Sequence, residues 1–176
     1  MSPIFEPDFT KVDANIPTYE KGRYQIKLEK ATPFVYKGVN KQGQEENKVG
    51  VRYSPKMVGM FDPASGELDK SLAGKPMSQY TVWLHSEGGW QFAKPFLMAA
   101  AGYNPREQED EANRKFFAKN KWYVKGDPGD TAPEMGDGYS KILDRIVDVN
   151  LDISMTEGKE GQVYKNQEFK GWTPVE

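Results

Sequence analysis

The chain of 176 residues contains no cysteine and only one histidine, His85. The lack of cysteine excludes disulfide bonds, thiolate metal sites and a cysteine nucleophile, and one histidine cannot form a multi-histidine metal site. No run of 18 apolar residues occurs, and the first residues show no basic stretch followed by an apolar one. Neither a membrane span nor a secretion signal is therefore predicted, and we expect a cytoplasmic protein, in the host cell if the protein is viral.

Motifs of catalysis and of cofactor binding are also lacking. The glycine-rich segments match neither the phosphate-binding loop nor the dinucleotide fingerprint. An acidic segment over residues 127–137 lacks the spacing of a calcium-binding loop, and we interpret it as a solvated loop. We therefore expect no catalytic residue, no metal ligand and no cofactor. An enzyme with carboxylates brought together by folding remains an alternative, as does a regulator that binds a host protein through a helix over 106–121.

Aromatic residues and turn residues are plentiful. The chain has 4 Trp, 9 Tyr and 9 Phe within a hydrophobic fraction of 37%, so aromatic rings must form much of the core. The 17 Gly and 12 Pro indicate strands joined by turns rather than a helical bundle. We predict one domain over 1–176, in which residues 1–20, with three prolines, form an extended arm.

Alternating apolar and polar residues predict strands over 23–29, 48–53, 80–85 and 147–155. A hairpin turn over 157–161 leads to a further strand, 163–169. Loops are predicted over 38–47 and 125–139, and helices over 94–101 and 106–121. This order favours a mainly β fold with inserted helices (α+β). We expect an OB-like Greek-key β-barrel of about five strands, with one or two helices between strands three and four.

The strand phase predicts which side chains face outward. Tyr24, Ile26 and Leu28 belong to the core phase of the first strand, and the same alternation buries 49, 51 and 53, then 80, 82 and 84. The opposite phase combines cations with aromatic rings, as binding of single-stranded nucleic acid requires. The loop after strand one and two positions of uncertain phase extend this set. Each residue alone is also compatible with ordinary packing or a solvated surface. The candidate residues are Arg23, Lys27, Tyr36, Lys37, Lys41, Lys48, Arg52, Lys56, Trp83, His85 and Trp90.

Four segments together resemble a known family. They are YEKGRYQIKLEK from Tyr19, FLMAAAG from Phe96, the helix-to-strand rhythm of 141–154, and EGQVYKNQEFKGWTP from Glu160. In these segments the chain resembles phage-encoded single-stranded-DNA-binding proteins of replication and recombination modules, many of them of unknown function. The resemblance implies an OB-fold that coats DNA strands during phage genome replication and meets replication proteins. Many such proteins carry a flexible acidic tail, whereas this chain ends in GWTPVE, so recruitment through a tail is not expected.

Single-stranded DNA, or RNA, is therefore the expected partner, and no membrane partner is expected. The alternative is a structural or assembly protein of a virus particle, in which the arm over 1–17 packs against other copies of the chain. A homo-oligomer is compatible with either function.

Overall fold

Residues 19–175 are described by a computed structural model, without the side chains of residues 164 and 165. The strands are β1 (Gly22–Val39), β2 (Glu45–Phe61), β3 (Leu68–Asp69), β4 (Tyr80–Trp83), β5 (Val124–Lys125), β6 (Glu134–Met135), β7 (Ile146–Glu157) and β8 (Val163–Pro174). The helices are α1 (Glu87–Ala100), α2 (Glu109–Ala112) and α3 (Gly138–Lys141). Six strands form one antiparallel sheet in the order β3–β2–β1–β7–β8, with β4 also paired to β2, while β5 and β6 form a separate pair.

A long hairpin of β1 and β2 dominates the sheet. Pairing runs from Tyr24 and Met60 to Val39 and Glu45, so half of the loop predicted over 38–47 is strand, and residues 40–44 form the turn. A β-bulge between Leu28 and Lys30 shifts the register of β1. Beyond Lys27, β1 no longer pairs with β7, which makes this part an edge strand that tolerates Pro33.

The predicted core phase is confirmed. Tyr24, Ile26 and Leu28 are buried, as are Val51, Tyr53 and Val82. They join side chains from β7, β8 and α1 in one cluster. Aromatic rings are prominent in it, since Phe96 of α1 lies 5.1 Å from Tyr53 and 4.7 Å from Trp172 between ring centroids. The Tyr53 hydroxyl donates to the carbonyl oxygen of Tyr139 at 2.8 Å, which satisfies its buried polar group.

The first predicted helix, 94–101, begins seven residues too late. α1 begins at Glu87, after Ser86, whose Oγ accepts a hydrogen bond from the Gly89 amide. Pro95 therefore lies inside the helix rather than in its first turn. A Cβ at Gly89 would lie 2.6 Å from the carbonyl oxygen of Trp83, so this glycine allows close packing of α1 on the preceding strand.

Two predictions for the segment over 106–139 are wrong in extent. The helix predicted over 106–121 is reduced to α2 and a π-helical turn, Asn113–Phe117. The loop predicted over 125–139 contains most of the β5–β6 pair and the start of α3. The turn predicted over 157–161 is confirmed by a short 3-10 segment, Lys159–Gly161, between β7 and β8.

The fold is thus mainly β with a few inserted helices, as predicted. Among residues 19–175, β4 and β8 are not joined by strand pairing, so the sheet does not close into a barrel. Within this part of the chain no helix is long and apolar enough to cross a membrane. The arm predicted over 1–20 lies outside the described residues up to residue 18, and Tyr19 is buried against Tyr24.

Half-buried Tyr80 provides a pH-dependent test of this core. Burial raises the pKa of Tyr80 to about 12, above the usual 10.0 of tyrosine. The folded state therefore holds this proton at a pH where the unfolded chain has lost it, and the free energy of unfolding falls as the pH rises from 10 to 12. We expect Tyr80→Phe to reduce that fall by at most about 2 kcal/mol in urea denaturation at pH 9 to 12. Equal pH slopes for the variant and the parent would contradict the assignment.

Candidate nucleic-acid interface

One side of the sheet carries cations and aromatic rings from three adjacent strands. After the bulge, even-numbered residues of β1 face the same side as even-numbered residues of β2 and as Trp83 of β4, because directly paired residues point to one face of a sheet. We call this surface the aromatic–basic face. It comprises Lys30, Thr32, Phe34, Tyr36, Lys48, Gly50, Arg52, Ser54, Thr81 and Trp83, with His85 beside it.

Phe34 lies at the centre of the face. Its ring stacks on Tyr36, with centroids 5.8 Å apart and an interplanar angle of 27°. Trp83 meets it edge-on at 5.4 Å, and the Arg52 guanidinium lies over it at 4.3 Å from the centroid. Such contacts hold rings and guanidinium in a fixed arrangement. The face therefore presents a preformed stacking surface that extends over three strands.

Gly50 makes room for this arrangement. It pairs with Phe34 on one side and with Trp83 on the other. A Cβ at this position would lie 2.8 Å from Cζ of Phe34 and 2.4 Å from the carbonyl oxygen of Val82. The absence of a side chain thus lets the Phe34 ring lie close to the backbone of β2 and lets β4 approach.

The charges on the face are unevenly compensated. Lys30 and Arg52 are exposed, and neither has a carboxylate within 4.0 Å among the described residues. Lys48, in contrast, donates a hydrogen bond to Glu46, and this ammonium lowers the pKa of the Glu46 carboxyl. The Lys48–Glu46 pair contributes little net charge, so Lys30 and Arg52 are the cations available to a phosphate.

His85 has a structural contact at the end of β4. Its Nδ1 accepts a hydrogen bond from the Val49 amide at 3.5 Å, while its Nε2 lies 3.9 Å from Glu46. The Leu84 carbonyl, which would otherwise continue the ladder, accepts from the Trp90 indole at 2.7 Å. His85 therefore closes the ladder and packs edge-on against Trp83 at 5.4 Å.

The reverse side of the same hairpin is covered in its middle part. Val35 and Val51 are buried, and the Val35 carbonyl accepts a hydrogen bond from the Gly129 amide in the segment between β5 and β6. Around these two residues the reverse side is closed to a large ligand, whereas nearer the turn it exposes Lys37 and Val39.

Three predicted cations lie on the same side of the sheet but in ion pairs away from the rings. Arg23 donates to Thr173 at 2.6 Å and lies 3.7 Å from Asp148. Lys27 pairs with Asp144 at 3.6 Å, and Lys56 pairs with Glu29 at 2.8 Å. The three residues were predicted to bind nucleic acid through their positive charge, and these carboxylates offset that charge.

Of the four other predicted residues, Tyr36, Lys37 and Trp90 are placed differently from the sequence interpretation. Tyr36 and Lys37 belong to β1 rather than to a loop, and alternation turns Lys37 to the opposite side from Tyr36. Lys41 is exposed in the turn of the β1–β2 hairpin. Trp90 belongs to α1 and lines an apolar cavity of about 380 Å³ with core-phase residues such as Leu84, so it is not part of the face.

Sequence reasoning missed Phe34, Lys30 and Gly50. The bulge between Leu28 and Lys30 reverses the phase of β1, so extrapolation from Tyr24 assigns Phe34 to the wrong side. A usable signal was present in the sequence, since Thr32, Phe34 and Tyr36 alternate with Ala31, Pro33 and Val35. The structure leaves these last three residues half-buried or buried.

Carboxylates of the acidic segment over 127–137 make local hydrogen bonds and an ion pair. Asp130 accepts from the Asp127 amide, Glu134 accepts from the Tyr123 hydroxyl, and Asp137 accepts from the Lys121 amide and pairs with Lys141. Within residues 19–175 no group of three or more His, Asp or Glu side chains is placed to hold a metal ion.

Comparison with protein-family models gives no match, and comparison with curated proteins gives none either. We therefore infer the function from the geometry of the aromatic–basic face.

Proposed function

We propose that the protein binds single-stranded nucleic acid, DNA in the first instance, through the aromatic–basic face and without strong sequence preference. The observation that carries the proposal is the cluster of Phe34, Tyr36 and Trp83 with Arg52 on one open surface. Rings stack on any base, and exposed cations neutralise phosphates and release counterions. Neither contact requires a reaction, so the proposed function is non-catalytic.

The geometry favours single strands over duplex. A ring can stack only on a base whose face is accessible, and the bases of a duplex are already stacked on one another. The exposed cations are few, so bulk charge, which is −2 for the whole chain, does not support tight binding to duplex phosphates.

Strand order supports the finer expectation of an OB-like fold. β1, β2 and β4 follow one another in the sheet, and β7 returns after a long connection to lie beside β1. Apart from the short β3, which precedes β4 in the chain, this order resembles that of a Greek key and supports the expectation. The open side between β4 and β8 is bridged by side chains, since Tyr80 lies 4.8 Å from Trp172 between ring centroids. A role in phage replication or recombination is part of the proposal and depends on the resemblance given above.

Arg52→Gln tests the electrostatic half of the proposal. If Lys30 and Arg52 each meet a phosphate, the logarithm of the affinity for oligo-dT should fall with the logarithm of salt concentration with a slope of about −1.4. Loss of Arg52 should make that slope shallower by about 0.7. The measurement is fluorescence anisotropy of a labelled oligo-dT from about 20 to about 300 mM salt, which covers roughly a tenfold range of ionic strength.

Arg114→Gln is the matched control, because Arg114 is exposed on the π-helical turn and not on the face. It should leave the slope unchanged. Binding that does not depend on salt, or an equal change for both variants, would rule out phosphate contact at Arg52.

A further inference from the structure

A second cavity lies beside the unpaired edge of β8. Among the described residues β8 pairs only with β7, and a cavity of about 760 Å³ is lined by β8, α1 and residues 104–107, together with Arg23, Tyr80 and Asn150. Its volume is within the range of small-molecule sites, roughly 300–1,000 Å³. It involves none of the rings of the aromatic–basic face.

Aromatic rings form one wall of this cavity. Tyr80 lies 6.4 Å from Phe169, and Phe169 lies 5.6 Å from Trp172 between ring centroids. Phe92 projects from α1 at the rim with 78% of its surface exposed, and no ring of the described residues contacts it. An exposed ring that lines the same cavity as an aromatic wall is suited to contacting a planar, ring-bearing ligand.

A β-bulge shapes the same wall. Asp148 pairs with Thr173 and Asn150 with Lys170, so Gly171 and Trp172 together oppose Val149. Gly171 adopts a φ of 62°, the left-handed conformation typical of a bulge glycine. The bulge turns Trp172 into the core, and bulges of this kind are frequent beside binding sites because they redirect side chains.

Residues that line this cavity include a cation that can bind an anion and amides that can form hydrogen bonds with the polar edge of a ligand ring. Arg106 is exposed and has no carboxylate within 4.0 Å among the described residues. Of the other two cations that line the cavity, Lys170 is paired with Asp152 and Glu168, and Arg23 lies 3.7 Å from Asp148. Glu107 and Glu168 also line the cavity, as do the amides of Asn104 and Asn150. Arg106 is thus the cation that remains for a ligand, and the amides can donate to and accept from a heteroaromatic ring.

We propose that this cavity binds a nucleotide, with the base against Phe92 and the aromatic wall and a phosphate at Arg106. The ligand chemistry is the same for a free mononucleotide and for one unit of a nucleic-acid strand. The inference goes beyond the function proposed for the aromatic–basic face and does not depend on it.

The test uses the full chain and two ligands, adenosine monophosphate and a labelled oligo-dT. The site variants are Phe92→Leu and Arg106→Gln, and the controls are Trp83→Leu on the aromatic–basic face and Arg145→Gln, an exposed arginine that does not line the cavity. Binding is measured by isothermal titration for the mononucleotide and by anisotropy for the oligonucleotide. Circular dichroism of each variant verifies that it is folded.

If the free nucleotide is the ligand, both site variants should weaken binding of adenosine monophosphate about fivefold or more, while Arg145→Gln leaves it unchanged. If a strand is the ligand, the site variants should weaken oligo-dT by a similar factor without measurable mononucleotide binding. Unchanged affinity for both ligands in both site variants would overturn the inference. A failure of Trp83→Leu to affect oligo-dT would count against the proposed function alone.

Discussion

Phe34→Leu combined with Trp83→Leu should weaken oligo-dT binding by about one to two orders of magnitude. Stacking of a base on an aromatic side chain contributes roughly 1–3 kcal/mol, and the two rings are in direct contact, so their losses need not add. Leucine retains apolar volume on the face but offers no ring. The effect is measured by anisotropy of labelled oligo-dT at low salt, with each single variant alongside the double variant.

Trp90→Leu is the control for this experiment, because it removes another partly exposed tryptophan, one that lies on α1 outside the face. It should change the affinity for oligo-dT by less than about twofold, within the scatter of surface substitutions. Equal losses for Trp90→Leu and Trp83→Leu would show that the tryptophans act through general stability rather than through stacking on the face.

Gly50→Ala should be among the most destabilising single substitutions in the sheet. The new methyl group would lie 2.4 Å from the carbonyl oxygen of Val82, a backbone atom that cannot move without separating β4 from β2. It would also displace the Phe34 ring. Overpacking of this kind costs typically 1–3 kcal/mol, and we expect that loss in the free energy of unfolding by urea, together with weaker oligo-dT binding.

Gly88→Ala provides the comparison for Gly50→Ala. Gly88 lies in the first turn of α1, and a Cβ there meets no atom within 4 Å. Alanine should therefore leave the protein as stable or raise the free energy of unfolding by up to about 1 kcal/mol, since it reduces the entropy of the unfolded chain. If both glycine variants were neutral, the close approach of β2, β4 and Phe34 would be disproved.

The strand phase of β2 and β4 could be predicted from the sequence, and the outward positions of Arg52, Trp83 and Lys48 follow from it. Alternation is a local property of the chain, so it is visible wherever a strand is regular. The position of Phe34 could not be extrapolated from Tyr24, because the intervening bulge is set by pairing with β2 and not by the sequence of β1 alone.

Tertiary contacts explain the other differences. The Glu87-Gly88-Gly89 segment has the composition of a turn, yet capping by Ser86 and packing of Gly89 on Trp83 make it the first turn of α1. The sequence pattern also gives no sign that Arg23, Lys27 and Lys56 form ion pairs. Their carboxylate partners are distant in the chain or lie on a neighbouring strand. The open edge of β8, and hence the second cavity, depends on how far the sheet curls, which no local signal reports.

Ultraviolet crosslinking of oligo-dT to the full chain, followed by mass spectrometry of the attached peptides, addresses the strand path most directly. We expect crosslinks at Phe34, Tyr36 and Trp83, the three rings held together around Gly50. Crosslinks confined to other parts of the chain, with these three rings unmodified at saturating oligonucleotide, would contradict the account.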